Sequence, residues 1–567
     1  MPSLTKRWQV APRLPPEIDR ALYEFPPILR QILYNRGYRS KEAARDFLEA
    51  KFPPDTDPSR LAGIPAAVER LKQAIQSGEP IAVYGDYDAD GVTSTALLVQ
   101  ALTRLGGRAS GYIPHRFDEG YGLNNEALDS LYSEGVKVII TVDCGIRSLE
   151  EARHAKQIGL DLIVSDHHQI GKTLPQAVAV INPKQSGDSY PEKDLAGVGL
   201  AYKLAAALFE ALNPEGFNPL EYLDLVALGT VADLAPLVGE NRALVKAGLE
   251  SIRQPHRQGL FSLMEVAEIS PGRVTAGDIS FVLGPRLNAA GRLDSALAAY
   301  ELLITDDVFE AGRLAQQLDV QNRERQQITR QIQAIAEQLA QADDPQSLLL
   351  FAAHPDFNPG VVGLAASRLT ENFYRPSIVA QQGDPFTRAS CRSIPEFHIT
   401  EALDTCADLL ERYGGHAAAA GFTVRTEHLP ELIERLKAIA QAQLADRDLR
   451  PTLVADAEIR LSELQPEYLK YLDWLQPTGF GNGEAMLVAR GLEVKYPRAV
   501  GRDNAHLKMN VTDGWITFDA IAFRQGYWFP QIPPKIDILF TFEKNEFNGR
   551  ESLQLNVKDI KPTGKPD

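Results

Sequence analysis

From residue 80 onward, short apolar runs alternate with helix-like stretches, and no other feature restricts the fold of this chain as strongly. The runs are residues 81–84, 136–142, 160–165 and 177–182, with helical patterns at 94–105 and 149–158 between them. This order predicts a parallel, doubly wound sheet, whose ligands lie outside the carboxyl ends of the strands. Three of those ends carry chemically loaded residues. The first run leads into Gly85-Asp86-Tyr87-Asp88-Ala89-Asp90-Gly91, the second into Asp143-Cys144-Gly145, and the third into Asp166-His167-His168. Another carboxylate, Asp233, closes the largely apolar helix pattern 220–234.

Three carboxylates within five residues repel one another, and a bound cation relieves that repulsion. Alone, the acidic loop reads equally well as a solvated charge cluster or as a metal site. Convergence with Asp143 and the Asp-His-His at neighbouring strand ends favours metal. Carboxylate and imidazole donors without thiolate at ligand spacing suit Mn²⁺ or Mg²⁺ rather than structural zinc. So many oxygen donors fit two ions bridged by one carboxylate, as in hydrolytic phosphoryl transfer.

The 567 residues are too many for one core, and roughly three to five domains are expected. Residues 1–79 read as a helical segment broken by prolines, and 80–305 as the sheet domain. Residues 306–343 read as a long connecting helix whose polar middle, 319–327, crosses solvent between two lobes. A second α/β domain is expected over 344–446, and an OB-like nucleic-acid-binding β-barrel over 452–562. Most barrel aromatics are expected in its core. The net charge of −16 excludes a polycation that coats nucleic acid, so basic residues for such a ligand must be concentrated in a groove. Three cysteines without metal spacing fit reduced thiols in a cytoplasmic protein, and no signal peptide or membrane span is apparent.

In combination these motifs resemble the DHH phosphoesterase superfamily. Arg412-Tyr413-Gly414-Gly415-His416-Ala417, running on to Ala420-Gly421-Phe422, is similar to the Gly-Gly-His signature of the DHHA1 domain. The segments Pro285–Leu293 and Gly360–Arg368 point, within the superfamily, to the bacterial single-strand-specific 5′→3′ exonucleases. The resemblance implies two α/β lobes, DHH and DHHA1, joined by a long helix and followed by an OB-like barrel. It implies two divalent ions, Mn²⁺ or Mg²⁺, held by Asp88, Asp90, Asp143, His167 and Asp233, with Asp143 bridging. His168 would face the scissile phosphate. Asp86, as a further catalytic carboxylate, or water would fill the place where many superfamily members have His and this chain has Tyr84. Arg116, Arg292, Ser390, Arg392 and His416 would bind substrate, Arg116 and Arg292 at a terminal 5′-phosphate. The glycines before His416 are expected either to bring a helix N-terminus toward phosphate or to form a tight interdomain turn. The implied activity is metal-dependent hydrolysis of single-stranded DNA from the 5′ end to mononucleotides, in recombination and repair. Single-strand-binding protein and a RecQ-type helicase are implied partners. The alternatives are a superfamily phosphodiesterase acting on short oligonucleotides or cyclic dinucleotides, and a non-catalytic replication-factor relative. The intact acidic and histidine motifs favour catalysis.

Overall fold

The computed structural model describes residues 5–212, 218–547 and 550–564. After an initial strand, β1 (Arg7–Val10), come β2 (Pro80–Gly85), β3 (Arg108–Tyr112), β4 (Val138–Val142), β5 (Asp161–Ser165) and β6 (Ala179–Ile181). The last five form one wholly parallel sheet in the order β3-β2-β4-β5-β6. Alternation along each central strand divides its side chains between two cores. Ile81, Val83, Val138, Ile140 and Ile163 pack against helices Ile64–Ser77, Ala89–Arg104, Gly197–Leu212 and Leu223–Ala232. Ala82, Tyr84, Ile139, Leu162 and Val164 face helices Asn125–Ser133 and Leu149–Ile158. The edge strand β3 escapes a hydrophobic-run reading because its sequence, Arg-Ala-Ser-Gly-Tyr, is half exposed throughout.

The connecting helix runs Val308–Asp343, 36 residues, or about 54 Å at 1.5 Å per residue. Its polar middle does not cross open solvent, contrary to the expectation for 319–327. Asp319 and Asn322 are buried, and Arg286 donates from Nε to Asp319 Oδ1 at 3.0 Å. On either side, Ala311, Leu314 and Leu318 enter the first lobe's core, while Ile332, Ala336 and Ala340 enter the second's. The helix is thus packed on both lobes.

The second lobe has strands β7 (Leu350–His354), β8 (Ser377–Gln381), β9 (Phe386–Arg392), β10 (Leu410–His416) and β11 (Ala419–Arg425), in the order β10-β11-β9-β8-β7. Only β7–β8 is a parallel pair. Residues Gly414–His416 end β10 at a hairpin rather than opening a helix, which corrects the expectation of amide donors there. Ala419 and Ala420 pair with the main chain of β9, and the hairpin register consumes the backbone groups a helix would need.

Beyond β12 (Thr452–Ala455) and β13 (Ala457–Glu458), strands β14 (Leu487–Val500), β15 (His506–Thr512), β16 (Thr517–Ala522), β17 (Lys535–Phe547) and β18 (Arg550–Pro562) close into a barrel. Closure comes from β14–β17 pairing added to the chain β14-β15-β16-β18-β17. The N-terminal segment is not purely helical. β1 pairs in parallel with β12, and Leu29, Ile32, Leu33 and Phe47 share one core with Leu487, Phe540 and Leu555 of the barrel. Among the barrel aromatics Phe518, Phe540 and Phe542 are core, whereas Tyr496, Trp515, Phe523, Tyr527 and Phe529 stand exposed. The expectation that most of them are core is therefore wrong. Among the described residues no helix is long and apolar enough to cross a membrane.

Candidate metal centre and end-binding pocket

The carboxyl ends of β2, β4 and β5, with the end of helix Leu223–Ala232, deliver all five expected metal ligands to one place. Among the described residues three groupings arise whose donor atoms lie within 4.8 Å of one another: Asp86/Asp88/Asp143, Asp143/His167/His168 and Asp90/His167/Asp233. Asp143 belongs to two of them, so its carboxylate stands between the sub-clusters. His167 Nε2 is 3.1 Å from Asp143 Oδ1, 3.9 Å from Asp90 and 3.8 Å from Asp233. Both His167 Nε2 and Asp143 Oδ1 are buried without a hydrogen-bond partner. Buried polar atoms are rarely left so, and here they mark a position for a cation. Tyr84 is not part of the cluster; it is buried and donates from its hydroxyl to Gly122 O at 3.0 Å. Asp86 occupies the place beside Asp88 instead.

Local backbone geometry explains the convergence. Asp88 caps helix Ala89–Arg104, accepting from the amides of Asp90 and Gly91, and Asn288 Oδ1 accepts the Ala89 amide. Asp143 sits at φ 61°, a left-handed conformation that aims its side chain off the strand end. Asp90 receives the amides of Gly197 and Val198, at 2.7 and 2.8 Å, from the N-terminus of helix Gly197–Leu212.

The electrostatics agree with cation binding. Burial, then the charge of Asp88, pushes Asp90 up to about 7, and burial, then Asp90, pushes Asp233 up to about 9. Burial and the surrounding carboxylates also raise Asp86 and Asp143 well above the ordinary range. Without a cation this cluster cannot hold its full charge. Burial lowers His167 to about 3, which leaves a neutral imidazole with a free lone pair. Burial disfavours charge on His168 too, but its hydrogen bond to Asp166, Nδ1 to Oδ1 at 2.8 Å, prevails and raises it to about 9.

Next to Asp88 lies a cluster of arginines. Arg116 stacks 4.7 Å from the Tyr87 ring. Arg292 is lowered to about 10 by burial and by the like charges of Arg116, Arg325 and Arg392, with Asp88 opposing. Among the described residues its side chain makes only a long 3.4 Å bond to Gly360 O. Ser390 and Arg392, on β9, flank Gly363 at the start of helix Val362–Phe373. The structure therefore groups Arg116, Arg292 and Arg392, with Ser390 beside Arg392. His416 lies apart from them, on the exposed β10–β11 hairpin; burial and then the charges of Arg147, His168 and Lys184 lower its pKa.

Several residues escaped the sequence reading. Asn182 and Lys184, just past β6, hold the Asp-His-His loop, Asn182 Nδ2 donating to His168 O at 3.0 Å and Lys184 Nζ to His167 O at 2.6 Å. The strand-end rule applied to a fourth strand would have found both. Arg325, with its Nε buried and unpartnered, gave no signal in a polar helix. Gly229 also matters, because a Cβ there would lie 2.3 Å from Thr93 Oγ1 and 2.9 Å from Asp90 Oδ1. Gly229→Ala is expected to displace Asp90 and weaken Mn²⁺ binding about tenfold, in the range typical of outer-shell changes. Titration with Mn²⁺ in the absence of DNA measures this.

Comparison with known proteins places the chain. Family models match the DHH family N-terminal domain over residues 80–230, the DHHA1 domain over 346–442 and the RecJ OB domain over 455–559. The single-stranded-DNA-specific exonuclease RecJ of Bacillus subtilis is 39% identical over 537 residues, covering 94% of this chain and 68% of that protein. The Escherichia coli protein of the same name is 37% identical over 563 residues, 95% of this chain and 96% of its own. The chain belongs to the RecJ family. The crystal structure of Thermus thermophilus RecJ in complex with Mn²⁺ matches with a TM-score of 0.85 at 33% identity, over 99% of this chain and 80% of that one. A Mg²⁺ complex of the same RecJ matches with a TM-score of 0.79 at 32% identity, over 99% and 79%. Those RecJ complexes accord with the oxygen-and-imidazole donor set found here.

Proposed function

We propose that this RecJ-family chain is a single-stranded-DNA-specific exonuclease that works from the 5′ end and depends on two divalent ions, Mn²⁺ or Mg²⁺. The observation that carries the reading is the cluster of arginines, without carboxylate partners among the described residues, beside Asp88. Cations massed at one end of a metal centre suit a terminal phosphate, which carries more charge than an internal one. Arg116, Arg292, Arg392 and Ser390 would hold that phosphate by charge-assisted bonds and set the next phosphodiester against the carboxylates. One ion would sit with Asp86, Asp88 and Asp143, the other with Asp90, His167, Asp233 and the same Asp143. When bound, such ions lower the pKa of water and stabilise charge on a phosphoryl group. His168, kept cationic by Asp166, would donate to a non-bridging phosphate oxygen. His416 would meet the strand from the second lobe. The exposed Tyr496, Trp515, Phe523, Tyr527 and Phe529 offer faces on which successive bases stack. The barrel counts against the alternative of a phosphodiesterase for short oligonucleotides or cyclic dinucleotides, which has no need of it.

Single strands labelled at the 5′ or 3′ end, each with and without EDTA, test the reading. The 5′ label is expected to appear first, as mononucleotide, with blunt duplex resistant and EDTA abolishing release. Prior release of 3′ label would overturn the polarity. A role in recombination and repair in the cytoplasm, beside a single-strand-binding protein and a RecQ-type helicase, follows from family resemblance.

A further inference from the structure

The segment that leads into the C-terminal barrel packs against the link that follows Asp233. Asp233 is followed by Leu234 at φ 63° and by a short link to helix Gly239–Ile252. Pro236 and Leu237, within that link, rest on the turn at residues 479–482 just before the barrel. The Leu237 amide donates to Phe480 O at 2.8 Å. Leu237 is fully buried, and a Cβ on Gly479 would come within 2.8 Å of its Cδ1. Gly481, at φ 72°, lies as close to Pro236, where a Cβ would be 3.0 Å from Pro236 Cβ.

This turn is held with unusual completeness. Arg242, nine residues after Asp233 and 1% exposed, spends all five N–H donors on carbonyl oxygens. Four belong to Trp474, Leu475, Gln476 and Pro477, the fifth to Phe47 of the N-terminal segment. Buried Asn482 donates to Leu475 O at 2.9 Å and Pro477 O at 2.7 Å. Arg36 donates to Asn482 Oδ1 and, at 2.6 Å, to Gly483 O. A guanidinium taken from water to meet five neutral carbonyls gains little net stability. Its geometric effect is definite: it fixes the turn against the same helix whose N-terminal link carries Asp233.

We infer that residues 474–483, held by Arg242 and Asn482, form a buttress that positions Asp233, so that seating of the C-terminal domain and occupancy of the ion site at Asp90, His167 and Asp233 are coupled. The coupling is reciprocal: an ion at Asp233 favours the seated turn as much as the seated turn favours the ion. Asn482 is a positioning residue, more than one residue removed from any donor atom. The inference rests on the metal reading proposed above.

The test uses the full chain without DNA. Asn482→Ala removes the two bonds Asn482 donates to the turn and the one it accepts from Arg36, and Gly479→Ala presses the turn away from Leu237 while leaving Arg242 in place. Mn²⁺ titration, with Asp233→Ala and wild type alongside, should show the ion that Asp233→Ala loses falling about tenfold in affinity in both buttress variants, the other ion being unchanged. Raised Mn²⁺ should then restore kcat while KM for single strands stays at the wild-type value. If Asp233→Ala loses an ion and both buttress variants bind Mn²⁺ as wild type does, the buttress is overturned and the metal reading stands. If Asp233→Ala itself binds as wild type does, the metal reading fails instead. Gly479 is itself exposed, and its replacement by Ala leaves every side-chain bond of the turn in place, so it decides the matter if Asn482→Ala does not fold.

Discussion

Asp143→Asn is expected to leave the fold intact and to reduce hydrolysis by more than about a hundredfold, beyond the upper end of losses seen when only an outer-shell partner is removed. Asn is the informative replacement. Residue 143 has φ 61°, a conformation Asn and Asp tolerate better than Ala. Asp143→Ala therefore mixes backbone strain with loss of charge, whereas Asn isolates the charge. The carboxylate groups with Asp86 and Asp88, and its Oδ1 lies 3.1 Å from His167 Nε2 of the other site, so both ion sites should weaken together. Turnover above about a tenth of wild type would remove Asp143 from the bridging role, because a shared ligand of two ions cannot be dispensable. The metal-free protein gives a second readout. Burial and neighbouring carboxylates raise the folded-state pKa of Asp143, and they hold Asp90 at about 7 and Asp233 at about 9. For groups raised in the folded state, stability is full below the unfolded-state pKa and is lost as pH rises through the folded value. In EDTA, wild type should therefore lose stability between pH 4 and 9, and Asp143→Asn should lose less. Added Mn²⁺ should stabilise wild type strongly and the variant little.

Arg292→Ala is expected to lower activity on 5′-phosphorylated strands about ten- to 150-fold, the equivalent of one charge-assisted contact of roughly 1.5–3 kcal/mol. On 5′-hydroxyl strands the loss should be small. Arg292 makes one long bond to Gly360 O, and among the described residues no carboxylate pairs with it. Its guanidinium keeps its charge at neutral pH despite being lowered to about 10. A half-buried cation with like-charged neighbours and no paired carboxylate is costly in the free protein, and an anionic ligand recovers that cost. The protein itself should become more stable on substitution, which a melting curve without DNA would show. Equal losses on both kinds of strand would make Arg292 a general backbone contact.

How much of this was legible depended on where the signal lay. The acidic loop, Asp143 and Asp-His-His could be placed together because strands β2, β4 and β5 are buried on both faces and announce themselves as apolar runs. Strand β3 could not, since an edge strand half open to water needs no such run. Asp319 and Asn322 looked solvated because a polar helix segment does not disclose that Arg286, 33 residues earlier, will meet it. The amides of Gly197 and Val198 are invisible for a related reason: they act through backbone, and no side chain advertises them. The turn at 479–482 lies almost 250 residues beyond Asp233 in the chain, and only the folded structure brings them together.

That β1 pairs with β12 has a bearing on how the protein is made. Arg7 aligns with Thr452 and Val10 with Ala455, so the first strand leaves the ribosome long before its partner exists. Both α/β lobes contain mostly local connections and can close during synthesis, domain by domain. The N-terminal helices cannot finish with them, because Leu29, Ile32 and Phe47 await Leu487, Phe540 and Leu555. For most of translation the leading segment must carry an unsatisfied apolar face, and contacts of such long range form slowly. Strands β17 and β18 thus complete the core of the N-terminal helices, which stay unfinished until the barrel has been made.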